Sequence, residues 1–527
     1  MLFLALIAIS HGCISTRLVE FDNLDVRLPD RDPRGWRADM AALLDLYERA
    51  PVLAPEDERL VPLMGGLTTL SYFGADAKPR VLDQQIPPGT HASGQTLAAT
   101  CRAPSDDRSD RVLATSNLPA FSPVWIPLAI RGGAAPPDVH CDEHGQPLGE
   151  RADTTFCLFA RVALQPTPGH SLIVVVHGMF DSGAQEYVQR MAAVLYRLGH
   201  SVLLPDMRDH GDTLRTAPGI ATTLGTLEGP DLLAMIADAR GACGDRIGRV
   251  GIAGVSGGGL DAIRAFTLDQ RRTLDADVIA LSPLIDVTAA IADAVPANAC
   301  PLTGTIELSI LDDLTVAAAS GGAFFGGAAI ARGLAGRRLD GQTALVGAIG
   351  AAAGFLTTLA IDAFFDGGSR PCVSENAIAQ ILQDVTRIRW RALRRRELGV
   401  TMSPAGYRLA PGAITLEDYV RERSRFLAAR CGVTMRTFDA SSLSSELRAA
   451  LAADARSGAR LLVIGAEDDP MTRIPALRSF VHDTGDLPEV YARAVQHGGH
   501  GAMWIVQPTV MSALFARFFG DETKGTL

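Results

Sequence analysis

Apolar residues fall into two rhythms along much of this chain. Short uninterrupted runs, SLIVVVHG (171–178), SVLLPD (201–206), RVGIAGVS (249–256), DVIALSP (277–283) and RLLVIGAEDDP (460–470), have the length and composition of strands covered on both faces. AQEYVQRMAAVLYRLG (184–199) and PTVMSALFARFF (508–519) instead carry apolar residues at helical spacing, the second with Pro508 in its first turn. SPVWIPLAI (122–130) and TFCLFARVAL (155–164) precede the series as two further strands, separated by a polar loop. Strands alternating with helices predict an α/β fold: a mostly parallel, doubly wound sheet between two helical layers.

The alternation divides the chain. A core is expected over 121–286 and 459–527, interrupted by an insertion, 287–458, that would lie over the strand ends as a helical cap, where open sheets bind ligands. Residues 20–120 form an N-terminal extension rich in Pro, Asp and Arg, with one helical stretch, WRADMAALLDLYERA (36–50), and no visible chemistry. Within the insertion lie two Gly/Ala-rich apolar stretches between 314 and 365. Small-residue pairs, Gly322 with Gly326 and Gly350 with Gly354, suit close helix contact, and Arg332, Arg337 and Arg338 join the two stretches. Two readings stand: a membrane hairpin with a cytoplasmic linker, or a pair of buried cap helices. Asp362 and the weak hydrophobicity of Gly and Ala favour the second.

Charge and cysteine content narrow the functional classes. A formal net charge of -10 leaves no basic surplus for phosphate, so nucleic acid is not an expected partner; the arginines between Arg387 and Arg396 read as one solvated helix face. The 8 cysteines show no close metal spacing, so no metal is expected, and no cofactor. Cys300 and Cys372 bracket the unusual segment and are a pair to test as a bridge, with free buried thiols as the alternative.

The chemistry concentrates at Gly254-Val255-Ser256-Gly257-Gly258, which ends an apolar strand and opens a helix. In so sharp a turn a side chain at Gly254 or Gly258 would collide with the strand or the helix, and Ser256 stands at the tip. A serine hydroxyl needs a histidine base, itself oriented by a carboxylate, to act as a nucleophile. GAEDDPMT (465–472) offers Asp468 and Asp469 after one strand, and VQHGGHGAMW (495–504) offers His497 and His500 after the last; Asp286 is a further candidate acid.

These motifs, in the order Ser, Asp, His, resemble those of the α/β-hydrolase superfamily, and the D-D-P and H-G-G-H pair is most similar to the YheT-like branch of abhydrolase-domain esterases. The resemblance covers about 155–285 and 455–519 and implies a catalytic triad of Ser256, Asp469 and His500, with Asp468 and His497 as alternates. It nominates the backbone N–H groups of Gly257 and Met179 as the oxyanion hole, since HGMFDSG (177–183) resembles the family's oxyanion loop; His177 would then support that loop. DMRDHGDT (206–213) resembles the family's R-G-H-G-type loop, with Asp209 where that loop has glycine.

The function so implied is hydrolysis of a carboxylic, acyl- or lipid-type ester through an acyl-enzyme. An acyltransferase using the same intermediate and a non-catalytic membrane-associated binding protein are the alternatives. MLFLALIAISHGCIST (1–16) resembles a bacterial lipoprotein signal in which Cys13 carries the lipid, although no Lys or Arg precedes the apolar run. That implies an anchor over 1–19 and a periplasm-facing, membrane-associated enzyme of the cell envelope, with a cytoplasmic location as the alternative.

Overall fold

The computed structural model describes residues 34–49, 94–102, 121–287 and 436–520, together with 29, 30 and 32 and apart from 180, 218–219, 221, 270–276, 454–457, 468, 470–471, 473, 502 and 504–506. Cys13, Cys300, Cys372, the arginines of 387–396 and the stretches between 314 and 365 lie outside the described residues.

The strands are β1 (Gln95–Thr96), β2 (Ser122–Ala129), β3 (His140–Cys141), β4 (Pro147–Leu148), β5 (Thr155–Ala163), β6 (His170–Val176), β7 (Ser201–Pro205), β8 (Ile247–Val255), β9 (Val278–Leu281), β10 (Leu461–Ala466) and β11 (Val490–Val495). The helices are α1 (Trp36–Arg49), α2 (Leu97–Arg102), α3 (Glu186–Arg197), α4 (Gly211–Thr216), α5 (Glu228–Cys243), α6 (Gly257–Leu268), α7 (Ala440–Ala453), α8 (Ile474–Thr484) and α9 (Pro508–Phe519). Among the described residues nine strands form one sheet in the order β1-β2-β5-β7-β6-β8-β9-β10-β11, and of these only β5 runs antiparallel to its neighbours. This is the α/β-hydrolase fold.

Burial explains why the central runs are strands. β7, β9 and β10 are buried along their whole length, as are the last five residues of β6 and the last six of β8, so both faces need apolar side chains and alternation disappears. Successive side chains still point to opposite faces. Ile173, Val175, Ala253, Val255, Ile279, Leu281, Leu462 and Ile464 share one core with Met40, Leu43 and Leu44 of α1, Val188 and Met191 of α3, and Val510 and Phe515 of α9. On the other face α5 packs on α6, α6 on α7, and α7 on α8.

Two segments that the sequence sets apart from the core therefore pack on it. α1, from the N-terminal extension, lies against α9 and β11. α7, from the insertion, closes the layer of α6 and α8, and Val287 N–H donates to the Phe438 carbonyl where the chain leaves and re-enters the sheet region.

Among the described residues two disulfides, unforeseen in the sequence, join Cys101 of α2 to Cys243 of α5 and Cys141 of β3 to Cys157 of β5. Among the described residues no helix is long and apolar enough to cross a membrane.

Candidate active site

The sheet register aligns the C-terminal ends of five parallel strands. Val176 of β6 pairs with Gly254 of β8, Val255 with Leu281 of β9, Leu281 with Ile464 of β10, and Ala466 with Val495 of β11. From β6 the chain runs first to β7 on one side and later to β8 on the other. The loops after β6 and β8 consequently diverge, and a crevice opens between them.

Ser256 sits at this crevice with φ 56° and ψ -119°, a backbone conformation that a non-glycine residue adopts only under constraint. The flanking glycines supply the constraint. A Cβ on Gly254 would lie 2.1 Å from the Gly258 carbonyl oxygen, and one on Gly258 would lie 2.4 Å from that of His177. β8, α6 and the loop after β6 approach so closely that only hydrogen atoms fit at these positions.

The structure brings three of the candidate side chains together. Ser256 Oγ donates to His500 Nε2 at 2.7 Å, and His500 Nδ1 donates to the two Asp469 carboxylate oxygens at 3.0 and 3.1 Å. All three residues are buried; one Asp469 oxygen also accepts the Thr472 N–H at 3.0 Å, which fixes the carboxylate plane. The His500 loop is tied down from below: Ser282 Oγ accepts the Gly501 N–H at 2.9 Å and donates to the Gly499 carbonyl at 3.5 Å. It is also tied from the side, where Tyr47 of α1 donates its hydroxyl to the His497 carbonyl at 3.0 Å. His497 itself is half-buried, Asp286 is half-buried in the segment beyond β9, and Asp468 lies outside the described residues.

Backbone donors converge beside the serine. A Cβ on Gly257 would stand 3.2 Å from the Met179 nitrogen, so the two N–H-bearing atoms share one small space. Gly257 begins α6, where the first N–H groups of a helix have no intrahelical acceptor. The loop carrying Met179 is held by Tyr187, whose hydroxyl accepts the Gly178 N–H at 2.8 Å and donates to Asp181 at 3.0 Å.

His177 is not placed to move protons. Its Nδ1 donates to the Gly178 carbonyl and its Nε2 accepts the Met207 N–H at 3.0 Å, and burial drives its pKa well below the usual histidine range. It is a neutral strut between the loops after β6 and β7. The second of these loops is further fixed by Asp206, which accepts N–H groups from Gly183 and Asp212 and pairs with Arg161. Asp209, standing where the resembling loop has glycine, takes φ 64°, a left-handed conformation that aspartate tolerates better than most residues.

A narrow cleft opens at Gly257 and Met179. Met207, Leu224, Leu260 and Leu284 give it apolar walls, and Thr222, Glu228 and Asp261 add polar ones. The sequence pattern singled out neither Glu228 nor Asp261. The available signal for Asp261 was its helical spacing: Gly257, Leu260 and Asp261 stand at i, i+3 and i+4 on one face of α6.

No protein-family model matches this chain, and no curated protein matches it. Among solved structures it is similar to an esterase of Pyrococcus furiosus, at 13% identity and a TM-score of 0.38 over 76% of this chain and 93% of that one. It is also similar to the acylaminoacyl peptidase of Pyrococcus horikoshii, at 12% identity and a TM-score of 0.35 over 80% of this chain and 45% of that one. The chain therefore spans under half the length of that peptidase. Est1E of Butyrivibrio proteoclasticus matches at 13% identity and a TM-score of 0.32, over 68% of this chain and 94% of that one. These are likenesses of fold; the fold assignment above rests on the strand order and the turn at Ser256.

Proposed function

We propose that the protein is a serine hydrolase of carboxylic esters. The observation that carries the reading is the continuous relay from Ser256 Oγ through His500 to Asp469, at 2.7 Å and 3.0 Å. In this mechanism His500 takes the proton as Ser256 attacks the acyl carbonyl, then gives it to the departing alcohol. Asp469 keeps the imidazole in the tautomer with hydrogen on Nδ1 and stabilises its charged form. The Gly257 and Met179 N–H groups stabilise the oxyanion, an effect commonly worth about 2.7–4 kcal/mol per donor. Water, activated by His500, then releases the acid from the acyl-enzyme.

The two disulfides support a location in an oxidising compartment. With the signal-like residues before Cys13 they favour the cell envelope, with Cys13 as the lipid anchor. The D-D-P and H-G-G-H motifs are the support for kinship with the YheT-like esterases.

A fluorophosphonate probe tests the chemistry. Wild type is expected to label once and to cleave short-chain nitrophenyl esters, and Ser256→Ala to lose both, with turnover down by at least about 10⁴-fold. A folded wild type that neither labels nor cleaves would remove the proposal. For the anchor, Cys13→Ala is expected to shift the protein out of the membrane fraction.

A further inference from the structure

The cleft beside the oxyanion donors holds a carboxyl group that the hydrolytic mechanism does not use. Asp261 is 8% exposed and lines the cleft, and its side chain has no hydrogen-bond or ion-pair partner among the described residues. Burying a carboxyl group without a partner is unfavourable, and such groups persist where a ligand completes them. We propose, on the hydrolase reading above, that Asp261 receives a protonated amine on the acyl chain of the substrate, making the enzyme selective for esters of amino acids in the broad sense, acids whose chain carries an ammonium group.

The charges around Asp261 support a cation over a neutral group. Glu228, on α5, faces the same cleft and accepts only from neutral donors: the Thr222 and Thr223 hydroxyls and the Thr223 and Gly225 N–H groups. Asp231, one turn on, accepts from Nε and Nη2 of the Arg208 guanidinium. Arg208 spends its other N–H groups on the Ala129 and Ile130 carbonyls. Arg264, on the next turn of α6, turns away to Glu446 and stacks on Phe438. Of the two histidines at the cleft, His177 is held neutral and His210 directs Nδ1 to the Arg208 carbonyl. Among the described residues, the two carboxyl groups of Glu228 and Asp261 thus border the cleft with no cation turned toward them.

In the empty site the deficit is met by a proton. Burial, together with the negative charge of Glu228 and Asp231, raises the Asp261 pKa well above the carboxylate range. An entering ammonium replaces that proton, which leaves to solvent, so binding is accompanied by proton release and tightens as pH rises. The placement also suits an acyl chain. Five residues of helix, about 7.5 Å of rise, separate Asp261 from Ser256, which puts the ammonium a few bonds beyond the reacting carbonyl.

The experiment uses para-nitrophenyl esters of a ladder of unbranched acids, each prepared with its chain ending in methyl, hydroxyl or ammonium. At one chain length the ammonium ester is expected to exceed its methyl isostere in kcat/KM by about tenfold or more, as a charge-assisted hydrogen bond provides. Asp261→Asn is expected to bring that ratio to one or below. A wild type that prefers the methyl or hydroxyl ester at every length overturns the proposal, and does so whether or not the variant folds. Calorimetric titration of the wild type with butylammonium tests the same contact without turnover: binding that strengthens with pH and releases a proton is expected, and absence of binding counts against the proposal. Loss of Ser256 labelling would instead defeat the hydrolase reading, while the titration still decides the role of Asp261.

Discussion

A serine at φ 56° stores strain that a glycine in its place would not. Left-handed backbone costs a side-chain-bearing residue about 1–2 kcal/mol, partly offset in the variant by the greater freedom of glycine in the unfolded chain. Ser256→Gly is therefore expected to raise stability by about 1 kcal/mol while abolishing labelling, which chemical denaturation and a fluorophosphonate assay would show together. Asp261 gives a second contrast, with a definite sign in pH. Its folded pKa lies above the ordinary 3.8, so the folded protein holds a proton that the unfolded chain has released. The penalty is absent below the unfolded value and grows as pH rises toward the folded one. Asp261→Asn should stabilise the protein most at pH above the raised folded value and least below the ordinary carboxylate value, where unfolding curves for the two proteins should converge. A variant equally stabilised at every pH would contradict the assigned burial effect.

The hydroxyl of Tyr47 belongs to the element scale, since it acts by joining α1 to the loop after β11. Nearby, Glu48 accepts the Gln496 N–H and pairs with Arg493 of β11, so one helix holds both ends of the strand-to-loop connection. Tyr47→Phe removes a single hydrogen bond, about 0.5–1.5 kcal/mol, and leaves the ring in place. On the proposed function it is expected to lower kcat several-fold with little change in KM, because the loop carries His500 and none of the residues that line the cleft. An unchanged kcat would reduce α1 to a packing element. This brace was not legible in the sequence. The turn around Ser256 was, because its glycines answer a local steric demand that one stretch of chain expresses in full. Asp469 and His500 were legible as residues following apolar strands, in an order the resemblance made meaningful. Tyr47 and Asp261 carry no such local mark: one side chain looked like an ordinary helix position and the other like a polar interruption in an apolar helix. Their significance arises only when α1 docks beside β11 and α5 closes on α6.

On the scale of the molecule, the mostly parallel sheet followed from the strand–helix alternation, whereas the covalent cross-links did not. Cysteine spacing alone left the pairing open, and the proximity of Cys101 to Cys243 depends on α2 reaching the end of α5 across a sequence separation of 142. Closing so long a loop removes unfolded-state entropy worth about 3–5 kcal/mol in the chain-entropy picture. Replacing both cysteines by alanine should accordingly lower stability by an amount of that order, measured by denaturant unfolding under non-reducing conditions. Replacing Cys141 and Cys157, only 16 residues apart, should cost less.

The same long reach governs when the His500 loop can gain its brace during synthesis. Tyr47 and the loop it steadies are 450 positions apart, and α1 rests on α9, so the brace forms only after both distant segments have been made. On the proposed hydrolase function, a product ending before α9 contains Ser256 yet lacks the packing that seats α1, and is expected to be inactive.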